Sequence, residues 1–221
     1  MSYVLIEASD LIDNPSPRCP CLVVLDTSGS MQGRPIAELN EGLQQFISEL
    51  QRDEVAACSV ELAVITAGSR VEQALPFTTA LQLEGCSPFT ASGSTPLGEA
   101  VMRGLDLLEQ RKAEYRRNGV AYYQPWLVMI SDGAPSDEWQ AAAYRARGLA
   151  EQGKLVSLMV GVNEANMQVL GQFSNRPALK LQGLNFSAFF QWLSASMSRV
   201  SASASTTASV SLPAIDGWSS I

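Results

Sequence analysis

The chain has 221 residues, of which 46% are hydrophobic and 17% charged, enough apolar content for one sizeable core and too much for general disorder. Its net charge of −7, unbroken by any basic cluster, argues against nonspecific nucleic-acid binding, which needs many cations on phosphates. Histidine is absent, which removes Ser-His-Asp and Cys-His catalysis and leaves a zinc site only cysteine to draw on. The four cysteines, at 19, 21, 58 and 86, contain no C-x-x-C pair and read as reduced, partly buried thiols.

Met1 to Glu7 carries no cationic region and only a brief apolar run, so no secretory signal is expected there. Apolar stretches are of strand length, well short of the ~20 residues of a membrane-spanning helix, and the expected setting is the cytoplasm. Residues 1–17 read as an N-terminal extension, 18–200 as the core domain and 201–221 as a Ser-rich tail. Whether the late Leu212, Ile215 and Trp218 dock back on the domain is open at this level.

A first strand over 21–25 closes on Asp26-Thr27-Ser28-Gly29-Ser30. Pro35 opens a helix with Ile36, Leu39, Leu43, Phe46, Ile47 and Leu50 on one face. Residues 58–67 read as a buried strand, and Gly68-Ser69 turns into a hairpin partner over 71–75. Residues 77–95 form a long loop, the kind that is usually functional. Pro96 starts a helix running to about Arg117, with Leu97, Val101, Leu105 and Leu108 inward. A strand at 126–131 follows, then a helix capped by Ser136 or Asp137, and a strand at 155–162. A short helix near 165–172, a weak strand at 178–181 and a helix over 186–199 complete the pattern; in the last, Phe186, Phe189, Phe190, Leu193 and Met197 are core.

Strands alternating with helices predict a doubly wound α/β sheet, mostly parallel and six-stranded, with 71–75 antiparallel at an edge and helices on both faces. Such sheets bind ligands beyond the carboxyl ends of their strands. Asp26 and Asp132 both stand at strand ends, and Thr95 stands at a helix start. With Ser28 and Ser30 they make an all-oxygen ligand set suited to Mg²⁺, Mn²⁺ or Ca²⁺. Two carboxylates leave the cation Lewis-acidic, so a carboxylate from another protein is the natural occupant of an open position. No general base stands nearby in sequence, which makes this binding chemistry and not catalysis. A haloacid-dehalogenase-type phosphatase would need a second Asp where Ser28 stands, and Glu99-Ala100 replaces the Lys-Ser/Thr of a P-loop after Gly93-Ser94-Thr95-Pro96-Leu97-Gly98.

In order and spacing, Asp26-x-Ser28-x-Ser30, Thr95 and Asp132 resemble the metal-ion-dependent adhesion site of von Willebrand factor A domains over roughly residues 18–198. Asp26-Thr27-Ser28-Gly29-Ser30-Met31, Ser92-Gly93-Ser94-Thr95 and Asp132-Gly133 followed by Pro135 and Asp137 look most like the bacterial tellurium-resistance TerY-like group. The resemblance implies that the Ser28, Ser30 and Thr95 hydroxyls reach a metal, with Asp26 and Asp132 bound directly or through water. It also implies a partner-binding role in a stress response, beside a phosphatase or kinase-like protein. The competing expectation is a regulatory scaffold that binds partners without metal.

Overall fold

The computed structural model describes Leu11, residues 13–214 and Ser219–Ser220. Its centre is a mixed sheet of six strands in the order β3-β2-β1-β4-β5-β6: β1 (Cys19–Asp26), β2 (Val60–Ala67), β3 (Val71–Thr79), β4 (Trp126–Ser131), β5 (Val156–Gly161) and β6 (Leu179–Lys180). Five run parallel, and β3 is the antiparallel edge strand, as the tight connection at Gly68 demands. A two-residue strand, β7 (Ser219–Ser220), pairs antiparallel to β6.

The central strands are buried on both faces, which is why they read as continuous apolar runs. Cys21, Val23 and Leu25 point to one side, where helix α1 (Arg34–Arg52) lays down Leu39, Leu43, Phe46 and Leu50. Asp53 caps the short helix α2 (Glu54–Ser59) through the Val55 and Ala56 amides. Leu22 and Val24 point the other way, toward helix α3 (Leu97–Arg117) and helix α4 (Gln140–Glu151). After the single-turn helix α5 (Met167–Leu170), helix α6 (Phe186–Ser201) covers the first face beside α1. There Phe186, Phe189, Phe190, Leu193 and Met197 are buried, as expected of a core stripe.

Three boundaries differ from the sequence expectation. Cys58 and Ser59 end α2, and β2 begins at Val60; a six-residue helix of small residues has no amphipathic period to announce it. Strand β3 continues through Pro76 to Thr79, since an edge strand tolerates a missing amide. Ser136 and Asp137 do not open the next helix, which starts at Gln140.

At the opposite end from the strand carboxyl termini, Glu61 is fully buried between two guanidiniums. Arg111 donates to it through Nε at 2.7 Å and Nη2 at 2.9 Å, Arg18 Nε lies 3.1 Å away, and the Tyr115 hydroxyl donates at 2.6 Å. This cluster ties the segment entering β1 to β2 and to α3. The tail folds back as far as residue 214: Trp192 Nε1 donates to the Pro213 carbonyl, and Leu212 packs against the core. Ile215 and Trp218, whose docking the sequence left open, lie outside the described residues.

Candidate metal centre

Three loops meet beyond the carboxyl ends of β1 and β4. The first begins at Asp26, the last residue of β1, and is pinned by a 3-10 turn, Gly29–Met31, whose Met31 is sunk in the core. The second carries Ser92 to Pro96. The third starts at Asp132, immediately after β4.

Backbone hydrogen bonds lock the first two together. Ser92 N donates to the Thr27 carbonyl at 2.8 Å, Gly29 N donates to the Gly93 carbonyl at 3.0 Å, and Thr27 N donates to Ala67 at 2.8 Å. Glycine is required at this crossing. A Cβ on Gly68 would stand 2.8 Å from the Thr27 carbonyl oxygen and 2.9 Å from that of Ser92. Gly93, at φ +79°, would bring a Cβ to 2.5 Å from the Ser69 Cα.

The side chains form a chain of short contacts. Ser28 Oγ and Ser30 Oγ are 3.0 Å apart, and Ser30 Oγ donates to Asp132 Oδ1 at 2.7 Å. Asp26 accepts the Ser28 amide at 2.9 Å on one oxygen and the Ser131 hydroxyl at 2.5 Å on the other. Four of the five anticipated residues are thus linked through one another. Thr95 is tied to Ser136 and to none of those four by a hydrogen bond among the described residues: its amide donates to Ser136 Oγ, and its carbonyl accepts the Ser136 amide, both at 2.9 Å. Neither Ser28 nor Thr95 spends its hydroxyl on a helix cap; the residue preceding α3 is Pro96, and no side chain of its own caps that turn.

The partners that sequence reasoning missed are Ser131 and the true role of Asp137. Ser131 orients Asp26 and accepts the Gly133 amide at 3.2 Å. Asp137 accepts the Gly98 amide at 3.0 Å and the Glu99 amide at 2.8 Å, so it caps α3, the helix behind Thr95. Both residue types were visible as cap and turn formers, but sequence does not say which helix a cap serves.

Asp26 is fully buried, and burial raises its carboxyl above the ordinary range; hydrogen bonds from Ser131 and Ser28 oppose that rise, and the Asp132 charge adds to it. Two carboxylates close enough for the Asp132 charge to be felt at Asp26, with hydroxyls between them and no nitrogen or sulfur donor, fit a hard divalent cation. Among the described residues no group of three or more His, Cys, Asp or Glu converges, so a cation here would need further ligands of other kinds, such as hydroxyls, backbone carbonyls or water.

The von Willebrand factor type A domain family model matches residues 22–191. The chain belongs to that family. Its fold is similar to a von Willebrand factor type A structure from Catenulispora acidiphila, with a TM-score of 0.62 at 14% identity over 83% of this chain and 43% of that one. It is also similar to the ArnB paralog VWA2 from Sulfolobus acidocaldarius, with a TM-score of 0.55 at 14% identity over 81% of this chain and 45% of that one. A third likeness is to proximal thread matrix protein 1 from the mussel byssus, whose metal-ion-dependent adhesion site holds zinc in that structure; the TM-score is 0.56 at 14% identity over 82% of this chain and 48% of that one. This chain therefore spans less than half the length of each. No curated protein matches it.

Proposed function

We propose that this von Willebrand factor A domain is a non-catalytic, metal-dependent protein-binding module. Asp26, Ser28, Ser30, Thr95 and Asp132 would hold one divalent cation, Mg²⁺ before Mn²⁺ or Ca²⁺ on the hardness of the donors. The bound cation would supply Lewis acidity toward an Asp or Glu carboxylate of a partner protein. The chain's own part is to hold five oxygens in place beforehand: Ser131 orients Asp26, Ser30 orients Asp132, and Asp137 fixes the helix behind Thr95. The observation that carries the reading is the Ser28–Ser30–Asp132 contact chain, which joins two loops separated by about a hundred residues of sequence through donor atoms alone.

The finer context rests on the sequence pattern. The Asp26-to-Met31 and Asp132-to-Asp137 segments support a place in a bacterial stress or tellurite-resistance system, with a phosphatase or kinase-like protein as the kind of partner. Four free thiols are in keeping with a cytoplasmic setting. One observation favours the second reading, a scaffold that binds without metal: Ser30 and Ser131 already satisfy carboxylate oxygens of Asp132 and Asp26.

Titration of Mg²⁺, Mn²⁺, Ca²⁺ and Zn²⁺ into the protein, with partner capture in the presence and absence of chelator, separates the two. The expected result is saturable Mg²⁺ binding, lost in Asp132→Ala, and partner capture that chelator abolishes. Capture unchanged by chelator, together with no binding of any of the four cations, would establish the scaffold instead.

A further inference from the structure

The amino-terminal edge of the sheet holds a second feature, roughly 20 Å from the candidate metal centre, the length of six-residue β4. Tail residues 201–213 cross this end of the domain and are fastened at three points. The Tyr123 hydroxyl donates to the Ser201 and Ser203 carbonyls, Arg199 Nη1 donates to the Ser211 carbonyl, and Trp192 Nε1 donates to that of Pro213. Between Ser203 and Ser211 the tail stands off the domain. It forms one wall of a cavity of about 720 Å³, a size typical of small-molecule sites.

The lining has one sign of charge. Lys112, Lys154 and Arg176 border the cavity, and among the described residues no Asp or Glu does, in a chain whose net charge is −7. Lys112 is balanced by Glu109 at 2.5 Å. Lys154 bonds only the neutral Gln152, and Arg176 has no carboxylate partner among the described residues. Two cations are therefore left facing a polar opening whose tail wall offers Thr206 and Thr207. One aromatic face is held ready beside them. Tyr122 packs on Tyr115 with ring centroids 5.3 Å apart, and its hydroxyl accepts from Arg116 at 3.2 Å.

We propose that this cavity binds a small phosphate ester, its phosphate between Lys154 and Arg176 and its organic part against Tyr122. Lysine offers a point charge and arginine a planar fork, a pairing suited to phosphate. The tail wall favours a compact ligand over an extended chain.

The probe is phenyl phosphate, titrated into the full chain and followed by calorimetry and amide shifts at low and high salt. Saturable binding is expected that weakens with salt, exceeds that of inorganic phosphate, and drops at least tenfold in the double variant Lys154→Gln, Arg176→Gln. Both side chains are exposed, so the variant keeps its fold, which a melt verifies. Asp26→Asn should bind phenyl phosphate like the parent, separating this cavity from the metal centre. Equal affinity in parent and double variant, no binding at millimolar probe, or binding of a phosphopeptide but not of phenyl phosphate would each overturn the proposal.

Discussion

Asp26 serves two opposed ends. Its buried carboxylate costs stability when ionised without a counter-charge, and that same cost is what a cation would relieve. The linkage has a definite sign. A carboxyl whose folded pKa lies above its ordinary value of 3.8 adds stability below that value and loses it as pH rises through the folded pKa. In chelator at neutral pH, Asp26→Asn should therefore melt higher than the parent, by on the order of 1 kcal/mol or roughly 2–4 °C. The new amide can donate to Ser131 Oγ while its oxygen keeps the Ser28 amide. The gap should close in acid, where the parent's carboxyl is protonated. With Mg²⁺ at about a hundredfold excess over Kd, the parent should gain about 2.7 kcal/mol and the variant almost nothing. Paired melts with chelator and with Mg²⁺ at neutral and acid pH decide it; a variant that melts lower in chelator and gains fully from Mg²⁺ would make Asp26 a turn residue only. Sequence placed the five oxygen-bearing residues at strand ends and ahead of a helix because such boundaries announce themselves by hydrophobic pattern, and hydrogen bonds link four of them, Asp26, Ser28, Ser30 and Asp132. It could not show Ser131 reaching Asp26, since that contact depends on β1 and β4 lying side by side.

Two aspartates cap helices at opposite ends of the fold and make a controlled comparison. Asp137 holds the first turn of α3 beside Thr95, and a Cβ on Gly98 would stand 2.7 Å from the Glu138 carbonyl oxygen, so that turn and the third loop are in direct contact. Asp53 caps α2, away from the carboxyl ends of the strands. Alanine at either position should cost about 1 kcal/mol, but only Asp137→Ala should also weaken Mg²⁺ binding, several-fold, by loosening Thr95. Equal Mg²⁺ affinity in the two variants would assign Asp137 to stability alone. Asp53 adds a pH signature. The Ala56 amide, above all, holds its carboxyl below the ordinary value, so its contribution is full above 3.8 and fades as pH falls through the folded pKa. The deficit of Asp53→Ala should accordingly shrink in acid. Elements were legible where burial imposes a long pattern, as in β1, β4 and α1. They were not where a tertiary neighbour decides, as with α2 fused in sequence to β2, or β3 continuing past Pro76 because it lies at an edge.

At the scale of the molecule, Glu61 is the carboxylate that two buried arginines and a tyrosine share, although Arg111 also pairs with Glu114 at 2.8 Å. Glu61→Gln keeps the shape but leaves Arg18 and Arg111 without their shared counter-charge. The expected loss is about 3–5 kcal/mol, seen as a lowered midpoint in urea, with Mg²⁺ affinity unchanged at the far end of the sheet. A midpoint within error of the parent would show the cluster to be dispensable. The interlocked backbone at Gly68 and Gly93 has a different kind of consequence, for how this surface can diversify. With carbonyl oxygens and a Cα already where a side chain would go, these two loops cannot change residue at the crossing without parting. Gly133, in the third loop, has open space where its Cβ would stand. Descendants of this sequence can therefore acquire new binding preferences by varying the ground around Gly133, while the crossing itself is inherited unaltered.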